Sequence, residues 1–185
     1  MIFTELVLHN FGIYRGRHVV DLRPQSVEKP ILLFGGLNGG GKTTFLDAMK
    51  LALYGKLAEC SNRKNLPYDA FLESAINRYS PPDEGAALEL EFVASRAGAE
   101  TCFRIKRYWR KASKSVTESI EVLEDGALSP VLSDHWALHV DEFIPQDIAG
   151  LFFFDGEKIE SLADKRTSAS IIRTGIYSLL GLSII

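Results

Sequence analysis

Apolar positions along this chain follow two periods. Residues 2–8 (Ile-Phe-Thr-Glu-Leu-Val-Leu) and 17–22 read as strands. Residues 31–34 (Ile-Leu-Leu-Phe), bounded by turn residues, read as a short buried strand. From Thr43 the period becomes helical: Leu46, Met49 and Leu53 fall at i, i+3 and i+7, and Gly55 suits the stop. Residues 56–67 read as polar loop and 68–78 as a short helix, after which Pro81-Pro82 breaks the chain. Three alternating stretches follow. Leu88, Leu90 and Phe92 alternate with Glu89 and Glu91; Phe103 and Ile105 alternate with Arg104 and Lys106; Val116, Ile120 and Val122 share one face of the third. Turn signals at Ala97-Gly98 and Asp125-Gly126 make them an antiparallel meander. Residues 134–143 read as helix closed by Pro145, residues 151–154 as another buried strand, and the stretch from Glu157 onward as helical. No repeat, low-complexity segment or linker interrupts residues 1–185, which read as one unit.

Composition removes several classes. Hydrophobic residues make up 46% and charged residues 24%, which is globular rather than disordered. Twenty-one basic and 24 acidic side chains leave a net charge of −3, so the chain is no general polycation. Cys60 and Cys102 match no zinc spacing and no disulfide framework, which points to a reduced, cytoplasmic setting. No apolar stretch approaches the roughly 20 residues of a membrane helix, and no membrane partner is expected.

The most specific chemistry lies between these blocks. Gly36-Leu37-Asn38-Gly39-Gly40-Gly41-Lys42-Thr43 fits G-x-x-x-x-G-K-[ST] in full, with a predicted strand before it and an amphipathic helix after it. Triphosphate oxygens need matched donors once water is excluded. Glycines at 36, 39, 40 and 41 let the backbone curl around them, and the helix beginning near Lys42 aims its unpaired N–H groups at the same point. Lys42 adds a mobile charge for the β and γ phosphates, Thr43 a hydroxyl for Mg²⁺, and Thr44 a contact to the α phosphate. The competing reading is a glycine-rich turn with an incidental lysine.

Two further features carry charge. Arg104, Lys106, Arg107, Arg110, Lys111 and Lys114 fall within eleven residues with no acid among them, and Tyr108 and Trp109 are interleaved. On a strand Arg104, Lys106 and Arg110 share a face that could track DNA phosphates, Arg107 and Lys111 adding charge; the alternative is an edge strand protected by charge. Asp155 ends the apolar run 151–154. It reads either as a metal-holding aspartate at a strand end, as in a self-contained phosphate-loop enzyme, or as a helix N-cap before Glu157.

The flanks of the phosphate loop resemble a known group. Leu8-His9-Asn10-Phe11-Gly12, the loop itself with Asn38, then Leu46-Asp47-Ala48 and Ala52-Leu53-Tyr54-Gly55 look like the N-terminal lobe of the SMC, SbcC and RecF group of ABC-type ATPases. Residues 144–159, with Phe152-Phe153-Phe154-Asp155-Gly156-Glu157-Lys158-Ile159, resemble the DndD proteins of bacterial DNA phosphorothioate modification, and Leu179-Leu180-Gly181-Leu182 resembles the point where those proteins enter a coiled coil. The resemblance implies an α/β P-loop NTPase lobe of ABC/SMC type, with a mixed sheet and an antiparallel β meander, bound to ATP and Mg²⁺. It puts Asp155 at the Q-loop position, where it would reach the metal and the attacking water, with Gln146 as the fallback. Basic residues in the early turn, Arg15 and Arg17, are in a region that relatives place near the nucleotide, whereas Gly12 stands where relatives often carry a basic residue. It implies as partners a C-terminal lobe of the same protein with the signature and Walker B segments, a second head, double-stranded DNA, and DndC- and DndE-like subunits. An SbcC/RecF-like repair or antiphage-defence ATPase, a self-contained kinase, and a module that holds ATP without turnover are the other expectations.

Overall fold

The computed structural model describes residues 1–153 other than Lys64, Pro82, Ala97, Ser113 and Lys114. The chain divides into a unit of Met1–Trp136 and a unit of Ala137–Ile185.

The first unit is built on one antiparallel sheet. β1 (Ile2–Phe11) and β2 (Tyr14–Asp21) form a hairpin, and β3 (Ala86–Arg96), β4 (Ala99–Ala112), β5 (Ser115–Glu124) and the two-residue β6 (Ala127–Leu128) form the expected meander. The spatial order is β2-β1-β3-β4-β5-β6, so among the described strands the only non-consecutive neighbours are β1 and β3. Between β5 and β6, Asp125 and Gly126 both take positive φ, at 49° and 80°, as a tight two-residue hairpin turn requires.

Period-2 patterning puts one face of the sheet inward. Leu6, Leu8, Leu88, Leu90, Phe92, Phe103, Ile105 and Val122 are fully or almost fully buried. Each such side chain contributes about 1.5–3 kcal/mol relative to exposure. Against this face lie α1 (Lys42–Tyr54) and α2 (Tyr68–Ala75). Two buried indoles tie the layers together. Trp109 of β4 donates to the Leu72 carbonyl of α2 at 2.8 Å, and Trp136 donates to the Leu53 carbonyl of α1 at 2.7 Å. The opposite, outer face carries the alternate residues of the same strands, including Glu5, Glu89, Glu91, Arg104 and Lys106.

One expected element is missing. Residues 31–34 take no part in the sheet. Ile31 and Leu33 are 86% and 93% exposed, and among the described residues no backbone hydrogen bond joins residues 31–35 to another segment. Only Phe34 finds an aromatic neighbour, Phe45 of α1, at 5.0 Å between ring centroids. An apolar run becomes a strand only with a partner strand to satisfy its peptide groups, and none of the described segments offers one.

α3 (Pro130–His139) crosses the division between the units and is kinked at His135. In the second unit, 3-10 turns at Val140–Glu142 and Gln146–Ile148 lead into the single-turn α4 (Ala149–Phe152). Residues 151–152, expected to open a strand, are therefore helical. Four residues are too few for periodicity to separate a buried strand from a helical turn. Asp155, Glu157 and the 179–182 segment lie outside the described residues. No described helix is long and apolar enough to cross a membrane.

Candidate functional site

α1 starts abruptly at Lys42 because Gly41 before it is left-handed, with φ 89° and ψ 11°. Gly39 is also left-handed, at φ 79°. Between them, Gly40 N–H donates to the Leu37 carbonyl at 2.9 Å, and a Cβ on Gly40 would stand 2.9 Å from that same oxygen. Residues 36–41 thus form a turn that no larger side chain could make so tightly. Lys42 Nζ folds back over this turn and donates to the Gly36 carbonyl at 2.8 Å and the Leu37 carbonyl at 3.0 Å. Its ammonium therefore sits above the loop, at the amino end of a 13-residue helix whose first turn has no acidic residue to compete for the site. Asn38 is exposed, and Thr43 and Thr44 are half-buried in the first helical turn.

The β1–β2 turn forms a wall beside the loop. Gly12, at φ 56°, leaves space for Thr44, whose Cγ2 would be 2.5 Å from a Cβ on Gly12. A Cβ on Gly41 would meet Ile13 Cδ1 at 2.6 Å, and Tyr14 Oη donates to the Gly41 carbonyl at 3.3 Å. Burial raises the Tyr14 phenol, so it stays a donor. The turn is held by Asn10, buried and left-handed at φ 50°. Its Oδ1 accepts from Gly16 N–H at 2.8 Å and Ser80 Oγ at 2.7 Å, and its Nδ2 donates to Glu84 at 3.1 Å. Asn77 completes the frame: its N–H donates to the Asn10 carbonyl, and its Nδ2 donates to the Gly12 carbonyl. Asn10, Asn77 and Tyr14 are site residues that sequence reasoning did not single out. The Asn-Phe-Gly triplet held a signal, because asparagine and glycine both tolerate positive φ.

The far end of α1 is anchored as firmly. Arg107, buried on the inner face, donates through Nε to the Ala52 carbonyl at 3.0 Å and through Nη1 to Glu118 at 2.9 Å. A Cβ on Gly55, the residue that ends the helix, would meet the Arg107 guanidinium at 2.7 Å. Tyr68 donates to the same Glu118 oxygen at 2.8 Å, and burial followed by the Glu118 charge holds its phenol protonated. Midway along the helix, the buried Asp47 accepts from Ser61 N–H at 2.9 and 3.0 Å, which pins the loop after α1.

A comparison with known families identifies the domain. The family model described as AAA domain matches residues 5–170. The chain belongs to the AAA domain family. It thus has an α/β P-loop NTPase fold. Over 88 residues, 48% of its length, it is 39% identical to the SbcC component of the nuclease SbcCD of Treponema pallidum (strain Nichols), of which it covers 7%. It is also similar to the SMC head domain from Thermotoga maritima, with a TM-score of 0.41, 17% identity, and 73% of this chain and 41% of that chain covered.

Of the five basic residues expected at a DNA face, Arg104, Lys106 and Arg110 do share the outer face of β4, whereas Arg107 faces inward. Arg104 lies on the outer face and is shared by Glu91 at 2.7 Å, Glu5 at 2.8 Å and Glu89 at 3.0 Å. Burial opposes its charge, but these three carboxylates outweigh it and raise the guanidinium further. Burial likewise pushes Glu91 up, yet hydrogen bonds from Thr4 and Arg104 bring it net below the usual carboxylate range. Lys106 stands between Glu89 and Glu121 in the strand register. Arg107 is the inward-facing anchor of α1. Lys111 pairs with Glu73 at 2.5 Å. Arg110 stands exposed opposite an uncharged residue, Thr117. Gln146, the alternative to Asp155, is half-buried, and its N–H donates to Asp141 at 2.9 Å.

Proposed function

We propose that this chain is the nucleotide-binding lobe of an SMC- and SbcC-like head that binds ATP with Mg²⁺, hydrolyses it when a second lobe and a second head close over it, and uses the cycle on DNA. The observation that carries this reading is the Lys42 ammonium held over the turn of residues 36–41 at the amino end of α1. The two carbonyls now holding Lys42 are placeholders that a phosphate oxygen can outcompete with a full negative charge.

The residues fit a triphosphate. The left-handed glycines at 39 and 41 let the loop curl tightly enough to turn backbone amides toward a bound anion. Lys42 would bind the β and γ phosphates, Thr44 would lie by the α phosphate, and Asn38 would lie on the exposed side of the loop. Thr43 would hold Mg²⁺ through its hydroxyl, with Asp155 as the candidate second ligand. Bound there, the ion would neutralise charge on the β and γ oxygens. Tyr14, Asn10 and Asn77 keep the peptide between Gly41 and Lys42 in place, so that the amides need no rearrangement when the nucleotide arrives.

The exposed run at residues 31–34 supports the second lobe. It leads directly into the phosphate loop, and a strand added beside it would bury Ile31 and Leu33 and fix the loop's entry. The chain spans 7% of the SbcC relative and 41% of the SMC head it matches, and the occupant we propose is a strand of a C-terminal lobe of the same protein. A second head would then cap the γ phosphate, and loss of that phosphate would remove the contact favouring closure.

The finer reading is DndD-like: a head that drives DNA phosphorothioate modification with DndC- and DndE-like subunits. The run from Phe152 to Ile159 supports it. The similarity to an SbcC protein favours the second reading, a DNA-repair or defence ATPase. Mass spectrometry of nuclease-digested DNA separates them. Phosphorothioate dinucleotides that vanish in cells carrying Lys42→Ala support the first reading. Unmodified DNA in the presence of the intact protein and its partners rejects it. The ATPase proposal itself is tested by turnover with and without the second half: hydrolysis restored only by that half is expected, and equal turnover by this chain alone favours a self-contained enzyme.

A further inference from the structure

We infer that the nucleic-acid contact of this lobe is the end of the outer sheet face nearest the β1–β2 turn, formed by Arg15, Arg17, Arg78 and Arg110 with Tyr79 and Tyr108, and that it takes the phosphate backbone of a duplex. The inference rests on the reading that the head works on DNA, and it names the surface.

The outer face is divided by charge. Its central rows, read from the strand register, are Asp21–Glu5–Glu91–Arg104 and Val19–Val7–Glu89–Lys106–Glu121, where carboxylates outnumber cations five to two. A polyanion gains nothing there. The next row is Arg17–His9–Ala87–Tyr108–Ser119, and beyond it stand Arg15 and the Arg110–Thr117 pair. None of these carries a carboxylate. Arg15, Arg17, Tyr108 and Arg110 are all exposed. The same network that frames the phosphate loop adds a second contribution. Asn77 bonds to Asn10 and Gly12 and so brings the exposed Arg78 and Tyr79 to this end, with the Arg78 guanidinium 4.6 Å from the Tyr79 ring centroid. Apart from Glu73, which is paired with Lys111, the acids at this end are Asp83 and Glu84, and Glu84 is already engaged by Asn10 Nδ2. Four arginines thus face two carboxylates, one of which is occupied.

Geometry favours a duplex over a nucleotide. α1, which carries the phosphate loop at its amino end, packs on the inner face of the sheet, while Arg17 and Arg110 take outer-face positions in the register. β2 and β4 are separated by three strand spacings, about 14 Å at roughly 4.8 Å each, which is near the ~12 Å width of a major groove. Exposed arginine forks suit phosphate, and tyrosine rings suit sugar and base faces.

Fluorescence anisotropy of a labelled 30-base-pair duplex on the purified protein, with and without ATP, tests this. Arg17→Gln combined with Arg110→Gln should weaken binding about tenfold and reduce the log–log salt slope by nearly two, one unit for each phosphate left without its arginine. Lys106→Gln should change affinity less than twofold. Binding of a fluorescent ATP analogue should match the parent in both variants. A double variant that binds duplex like the parent, a Lys106→Gln variant that loses as much, or a double variant that loses ATP instead of duplex overturns the inference alone. A parent that binds no duplex in any nucleotide state overturns it together with the DNA reading.

Discussion

Gly12 in the β1–β2 turn and Thr44 in the first turn of α1 are in contact so close that one carbon added to Gly12 would come within 2.5 Å of Thr44 Cγ2. The hairpin and the phosphate-loop helix therefore share one steric boundary. Gly12→Ala meets two costs: a left-handed φ of 56° for a residue with a Cβ, about 1–2 kcal/mol, and overpacking against Thr44, about 1–3 kcal/mol. Gly16→Ala, at φ 73° with open space around it, meets only the first. Urea denaturation should rank Gly12→Ala below Gly16→Ala by the packing cost. Adding Thr44→Ser, which removes Cγ2, should restore that difference. Additive single and double variants would show that the two residues do not couple.

Lys42→Ala should separate binding from folding. The side chain is exposed, and its two hydrogen bonds go to carbonyls of its own loop. Stability should stay within about 0.5 kcal/mol of the parent. ATP affinity, followed with a fluorescent analogue, should fall about 10- to 100-fold, the loss of charge-assisted bonds of about 1.5–3 kcal/mol.

Much of this site is written locally in the chain. The ends of α1 are readable because Gly41 and Gly55 stand at the helix limits, and the meander because Leu88 to Phe92 and Phe103 to Ile105 alternate cleanly. What is not readable depends on partners distant in sequence. The run 104–111 is strongly basic in one dimension, but register sets Glu5, Glu89, Glu91 and Glu121 beside its outward residues and Glu118 beside Arg107. Residues 31–34 have the composition of a buried strand, but strand structure also needs a neighbour. Asn10 resembles a surface turn residue until Asn77 and Ser80, some 70 positions away, close around it.

Leu33→Lys tests whether that neighbour comes from a second lobe. Leu33 is 93% exposed, so the substitution should leave the stability of this chain within about 0.5 kcal/mol and improve its solubility. Copurification with the C-terminal half should be lost, because a buried lysine without a partner is costly. Undiminished assembly would place the second lobe elsewhere.

Cys60 gives a pH dependence. Burial, with the Asp47 charge adding to it, pushes the thiol up to about 12, whereas an unfolded chain titrates it near 8.5. Between those values the unfolded chain has lost the proton and the folded chain keeps it. Stability from this group is therefore complete below about pH 8.5 and falls as pH rises, by about 1.4 kcal/mol per unit, until the folded thiol ionises. Urea midpoints from pH 8 to pH 10 should show the decline in the parent and a flatter profile in Cys60→Ala. Iodoacetamide at pH 8 should modify Cys60 only after unfolding.

Arg107 decides between reading the β4 cations as a nucleic-acid surface and reading them as structure. Its guanidinium bonds the Ala52 carbonyl near the end of α1 and pairs with Glu118, which also receives Tyr68. Removing it strands a part-buried carboxylate and frees the carboxyl end of the helix whose other end carries Lys42. Arg107→Ala should cost about 3–5 kcal/mol in urea denaturation. Arg107→Lys keeps the charge but cannot span both partners, so it should fall between the parent and alanine. Combining Arg107→Ala with Glu118→Gln removes the stranded charge and should recover part of the loss, which makes the cycle non-additive. Duplex affinity of the folded Arg107→Lys protein should equal that of the parent, since the side chain faces α1 and not solvent. A lysine variant of unchanged stability and weakened duplex binding would place Arg107 on the DNA after all.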